Sequence, residues 1–92
     1  MEKRTFVKIV ARRNRMKVKD AKVLVDSVFE VIGDALAAHE PVMITGFGVF
    51  EVRYHTGRNI RNIRTGEVFT NAAFYRPWFR AFPKMKARVN KQ

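Results

Sequence analysis

The 92 residues predict an α+β domain, and three observations carry that prediction. Apolar residues recur at helical spacing through the first forty positions. From position 42 to 80 the spacing shortens to that of strands, punctuated by Gly46-Phe47-Gly48. After Pro83 a helical pattern returns and runs to about Val89. The expected order is two N-terminal helices, an antiparallel sheet with a long protruding ribbon, and a short C-terminal helix.

Residues 3–14 read as the first helix. Phe6, Ile9 and Val10 fall at i, i+3 and i+4, with Lys8, Arg12 and Arg13 off that stripe. Asn14-Arg15 ends it, because Asn tolerates the left-handed conformation. The second helix covers 18–38. Ala21, Leu24, Val25, Val28, Ile32, Ala35 and Leu36 form its main stripe. Val23, Phe29 and Val31 widen that stripe beyond what one short partner helix covers. Asp20 sits in the first turn, where a carboxylate suits the helix dipole. His39-Glu40-Pro41 closes the helix, since proline disfavours helical backbone in the residue before it. Lys3 with Asp26, and Arg13 with Asp34, are expected to bridge the two helices.

Val42–Ile44 reads as a short strand, followed by the tight turn at Gly46-Phe47-Gly48. Val49–Tyr54 is the second strand, Glu67–Ala73 the third and Arg76–Arg80 the fourth. Pro77 assigns that fourth strand to an edge or a bulge. Phe82-Pro83 opens the final helix with proline in a permitted first-turn position. Phe29, Phe47, Phe50 and Phe79 are expected in the core. Without the ribbon, roughly 70 residues remain, a size at which one core is marginal. A homodimer sharing a core is therefore expected.

The chain is one small domain, 1–92, with a helical dimerisation part at 1–40, a sheet at 41–81 bearing an arm at about 53–75, and a C-terminal helix at 82–92. Its net charge is +11 and its pI 11.0, which makes an acidic polymer the first partner to consider. Residues 1–40 hold nine Lys/Arg against six Asp/Glu; residues 41–92 hold ten against two. The second half is thus the expected binding surface. There is no cysteine and no apolar run near the ~20 residues of a membrane span. Met1-Glu2-Lys3-Arg4 leads into an amphipathic pattern and not a signal-peptide core, so a cytoplasmic location is expected. His39 and His55 have no partner at triad or metal-ligand spacing. No enzyme, cofactor, metal or small-molecule substrate is expected.

One stretch fits no packed core. Thr56-Gly57-Arg58-Asn59-Ile60-Arg61-Asn62-Ile63-Arg64-Thr65-Gly66 repeats the triplet Arg-Asn-Ile, adds a further Arg, and is bracketed by Thr-Gly. Its three arginines repel one another and call for an anionic partner or water. Its two isoleucines are too apolar for an ordinary solvated loop. A basic ribbon with an apolar tip suits a nucleic-acid groove, with arginines on phosphates and groove edges and Ile as a wedge between bases. The competing reading is a solvated hairpin loop with stray isoleucines.

Gly46-Phe47-Gly48-Val49-Phe50-Glu51-Val52, then Arg61-Asn62-x-x-Thr65-Gly66-Glu67, then Phe79-Arg80-Ala81, resembles the HU/IHF family of bacterial histone-like DNA-binding proteins. Lys19-Asp20-Ala21-Lys22 extends the likeness, which covers nearly the whole chain. The resemblance implies an intertwined dimer, either homodimer or heterodimer with a paralogue. Its two β-ribbon arms lie in the minor groove of double-stranded DNA, and a tip residue wedges between base pairs. HU and IHF are themselves type examples of this mode. It further implies a nucleoid-associated, bacterial or phage-encoded protein that bends and compacts DNA with low sequence specificity. The DNA-binding residues it implies are Lys3, Arg53, His55, Arg58, Asn59, Arg61, Asn62, Ile63, Arg64, Thr65, Arg76, Arg80, Lys84 and Lys86.

Three positions depart from the family pattern. Ile63 stands where the family has the arm-tip proline, and is assigned the intercalating role; a hairpin slipped by one triplet would give that role to Ile60. Phe82-Pro83 replaces Gly-Lys at the last helix start, which removes an N–H from a phosphate-facing turn. Lys17 replaces a serine near the start of the second helix. An IHF-like bender with preferred sites is the nearest alternative, because such preference comes largely from DNA deformability. A different class is an RNA or single-strand binder that stacks bases on Tyr54, Phe69, Phe74, Tyr75 and Trp78.

Overall fold

The computed structural model describes residues 1–91, apart from the side chains of Ile60, Phe69 and Asn71. The chain separates into two compact units, 1–35 and 36–92.

In the first unit, helix α1 spans Lys3–Arg13 and helix α2 begins at Val18 and runs to Ala37. Their shared core is Val7, Ala11, Ala21 and Val25, with Val10 and Met16 packed against it. The inward stripe of α1 is therefore Val7, Val10 and Ala11, and not Phe6, Ile9 and Val10. Alanines at 11 and 21 let the backbones approach, and both are essentially closed to solvent. Phe6 instead tilts against Phe29 at 6.2 Å between ring centroids. The helix ends differently from expectation as well. Asn14 stays at φ −105° and caps with its side chain, Nδ2 donating to Val10 O at 2.8 Å, while Arg15 takes the left-handed turn at φ 52°.

Lys3 pairs with Asp26, which also receives the Lys22 ammonium at 2.9 Å from the preceding turn of α2. The Arg13–Asp34 bridge does not form. Lys3 opposite Asp26 sets the antiparallel register. From there, ten residues of α1 and eight of α2 carry Arg13 and Asp34 in opposite directions, on the order of 25 Å apart at 1.5 Å per residue.

In the second unit, His39 holds a left-handed φ of 58° and donates its N–H to Leu36 O at 3.0 Å, which closes α2 before Pro41. Strand β1 (Val42–Ile44), β2 (Gly48–His55) and β5 (Phe74–Ala81) form one antiparallel sheet in the order β1-β2-β5. Gly46 at φ 78° supplies the β1–β2 turn. A Cβ on Gly48 would meet Arg80 O at 2.6 Å, so only glycine fits there. Pro77 lies on β5, an edge strand bonded only to β2.

Beyond the sheet, β3 (Arg58–Arg61) pairs with β4 (Val68–Asn71). The first Arg-Asn-Ile triplet is thus strand and not tip. The expected third strand ends at Asn71, and β5 begins at Phe74, two residues before the expected fourth strand. His55 faces Phe74 and Arg58 faces Asn71, leaving two residues on each side and no bulge. Helix α3 covers Pro83–Val89.

The phenylalanines expected in the core cluster without being buried. Phe47, Phe50 and Phe79 lie 5.0 to 6.3 Å apart. Phe47 and Phe79 nonetheless remain exposed, as does Phe29 at 52 %. Among the described residues the buried apolar side chains are only Val7, Ala11, Ala21, Val25 and Val49. A single chain leaves Phe29, Phe47 and Phe79 facing water.

Candidate nucleic-acid interface

The arm tip is built by hydrogen bonds local to six residues. Gly66 N–H donates to Asn62 O at 2.8 Å and Asn62 N–H to Glu67 O at 2.7 Å. Gly66 takes φ 77°, the left-handed position that closes the turn. The Asn62 carboxamide oxygen accepts from Arg64 N at 2.9 Å and Thr65 N at 3.4 Å, an Asx turn. Thr65 Oγ1 accepts from Glu67 N at 3.3 Å. With its backbone fixed this way, Ile63 projects at 99 % exposure. The backbone of Ile60 pairs with Phe69 inside the ribbon. The side chains of Ile60, the alternative wedge, and of Phe69, a candidate stacking ring, lie outside the described residues.

The register within each of the two ladders sorts its residues by face. On β2, Arg53 and His55 share one face, opposite Arg76 and Phe74; in the arm, Asn59 and Arg61 share one face of β3, opposite Thr70 and Val68. Thr70 Oγ1 donates to Asn59 Oδ1 at 2.9 Å on that face. Trp78 and Arg80 continue the Arg53 and Arg76 face on β5, opposite Glu51 and Val49. Tyr54 and Tyr75 belong to the other face of the β2–β5 ladder, where their rings lie 5.0 Å apart; Arg58 belongs to the face of β3 opposite Asn59 and Arg61. Arg64 and Thr65 belong to the tip.

Several expected contact residues already have partners. Arg80 Nε binds Glu51 at 3.2 Å. The His55 ring stacks on Phe74 at 5.1 Å and 11°, with Nε2 enclosed and unpartnered among the described residues. Lys3 is engaged by Asp26, and the ammoniums of Lys3 and then Lys22 hold that carboxyl below its ordinary value. Lys84 and Lys86 are exposed on α3. The structure thus gathers Arg53, Arg76 and Arg80 on one face of the β2–β5 ladder, and Asn59 and Arg61 on one face of the β3–β4 arm. It puts Lys3 in the separate helical unit. It also adds Trp78, whose ring lies under the guanidiniums of Arg53 at 4.5 Å and Arg76 at 4.8 Å. The cross-strand register was the signal for that cluster, and it emerges only when β2 and β5 are aligned.

The chain matches the family of bacterial DNA-binding proteins over residues 1–90. It is 42 % identical over 89 residues to DNA-binding protein HU-1 of Halalkalibacterium halodurans, covering 97 % of this chain and 99 % of that one. It is 35 % identical over 83 residues to the integration host factor beta subunit of Saccharophagus degradans, covering 90 % and 85 %. Among solved structures, an Anabaena HU–DNA cocrystal matches with a TM-score of 0.88 and 29 % identity over the whole of both chains.

Proposed function

Because the chain belongs to the family of bacterial DNA-binding proteins, we propose that it is an architectural protein that binds double-stranded DNA as a dimer, bending and compacting it with low sequence specificity. It is not an enzyme; its work is mechanical. The supporting observation is Ile63. An isoleucine fully in water, held there by an Asx turn and flanked by Arg61 and Arg64, has no structural reason to be apolar. It has a functional one: arginines grip phosphates and the groove while Ile63 wedges a base step open. The working surface is Arg53, Asn59, Arg61, Asn62, Ile63, Arg64, Thr65 and Arg76 on the arm. Arg58 and His55 lie at its flanks, and Arg80, Lys84 and Lys86 meet phosphates beyond it; Lys3, in the helical unit, is a phosphate contact of its own. The whole chain, 1–92, acts as one DNA-binding domain, and a nucleoid location follows from its partner.

The dimer rests on the apolar face of α2. Leu24, Val28 and Phe29 are each at least half exposed, beside an apolar groove formed with Phe6, Val10 and Val25. A second copy that covers this face completes the core. The test is a binding comparison on straight, nicked and mismatched DNA duplexes, duplex RNA and single strands, with end-to-end fluorescence transfer reporting bending. Bending of duplex DNA with tightest binding to nicked or mismatched duplex is expected. A preference for single strands or duplex RNA would overturn this reading in favour of base stacking.

A further inference from the structure

Arg53 and Arg76 are direct cross-strand partners. Like charges in that position repel and destabilise a strand pair. The carboxylate nearest in register, Glu51, is occupied by Arg80. What the pair has instead is Trp78, with guanidinium carbons 4.5 and 4.8 Å from the ring centroid, inside cation–π range. Arg76 and Trp78 are two residues apart on β5, and Trp78 faces Glu51 on β2, so all these groups share one face of the sheet.

We infer that Trp78 is a positioning residue that holds Arg53 and Arg76 as a two-guanidinium clamp for one backbone phosphate at the base of each arm. The indole offsets part of the repulsion and restricts both side chains before DNA arrives. A guanidinium is a planar fork suited to bidentate contact with phosphate oxygens. Two forks on one ring leave donors free for a single phosphodiester, and its charge removes the remaining repulsion. This rests on the DNA-binding reading above and adds a site to it: the arm grips at its base as well as at its tip.

Trp78 is the only tryptophan, so its emission reports on this site alone. Titration of the native protein with a short duplex should change that emission in step with binding. Trp78→Ala should weaken binding roughly tenfold, as expected for two cation–π contacts, and Trp78→Phe by clearly less. In an Arg53→Gln/Arg76→Gln background the same Trp78→Ala change should cost under about twofold, because there is nothing left to position. That double variant should also lower the slope of log affinity against log salt by about 1 per arm. Binding with an unchanged Trp78 emission would overturn the clamp and leave the DNA-binding reading intact. So would an equal cost of Trp78→Ala in both backgrounds. Failure of the native protein to bind duplex at all would overturn that reading and the clamp with it.

Discussion

The helical unit and the arm both present apolar side chains to water, for opposite reasons. On α2, Leu24, Val28 and Phe29 line one apolar groove with Phe6, Val10 and Val25 and are half exposed or more. Such a continuous patch is a core cut in half, and only another apolar surface repairs it. At the arm tip Ile63 is single, wholly exposed, and set among arginines. No second protein surface can bury it without also burying those charges. It suits a partner that offers phosphates outside and stacked bases inside. The difference teaches that an exposed apolar residue is read by its neighbours: apolar neighbours call for a protein copy, cationic neighbours for nucleic acid.

The largest effect should come from breaking the first patch. Phe29→Asp places a carboxylate where a second copy must pack, at a cost of several kcal/mol. Sedimentation equilibrium at high salt should show the native chain as a dimer and the variant as an unfolded or dissociated monomer. A stable, folded native monomer would refute the shared core.

Salt should separate the two regions next. If the dimer neutralises about 6–10 phosphates, its affinity for duplex should fall on the order of 10³–10⁵-fold between about 50 and 200 mM salt. The dimer itself, held by apolar contact, should persist across that range. A flat salt response would mean that the arginine face of the arm is not the binding surface.

Ile63→Ala should then affect bending more than binding, because Arg58, Arg61, Arg64 and the body contacts survive. The lost wedge holds open a step that costs a few kcal/mol to unstack. Fluorescence transfer across a short labelled duplex should report a smaller bend, and nicked DNA should be less affected. Ile60→Ala should leave bending nearly unchanged. If Ile60→Ala abolishes bending while Ile63→Ala does not, the wedge lies one triplet earlier. If neither matters, the arms grip phosphates without intercalating.

The smallest effect is in the helical unit. Asp26, with its carboxyl held below the ordinary value of 3.8 by Lys3 and Lys22, binds a proton less readily folded than unfolded. Its stabilising contribution is therefore present above the ordinary value and is lost as pH falls through the lowered folded one. Melting temperatures taken from about pH 6 down to about pH 2 should fall slightly less for Asp26→Asn than for the native chain. Added salt should shrink the difference, since the pair is solvent-accessible. An identical acid slope would mean that the bridge does not fix the helix register.

The sequence by itself determined whatever depends on short-range geometry. Helical spacing placed α1 and α2 to within a residue at each end, and Gly46-Phe47-Gly48 placed the β1–β2 turn. At the tip the family resemblance pointed to Ile63 and left Ile60 open; the hydrogen bonds that Asn62, Thr65 and Gly66 close within six residues put Ile63 in the turn and Ile60 in a strand. The tertiary structure decided what depends on partners far along the chain. It turned α1 to bury Val7 and Ala11, because two alanines allow a closer approach than Phe6 and Ile9 would. It moved the left-handed turn from Asn14 to Arg15, where the path into α2 requires it. It put Arg53, Arg76 and Trp78 on one face, since cross-strand register is set by the whole hairpin and not by any single strand. It also left Phe29, Phe47 and Phe79 uncovered. An apolar pattern tells a side chain to leave water, but only the assembled surfaces decide whether the shelter comes from its own chain or from a second copy.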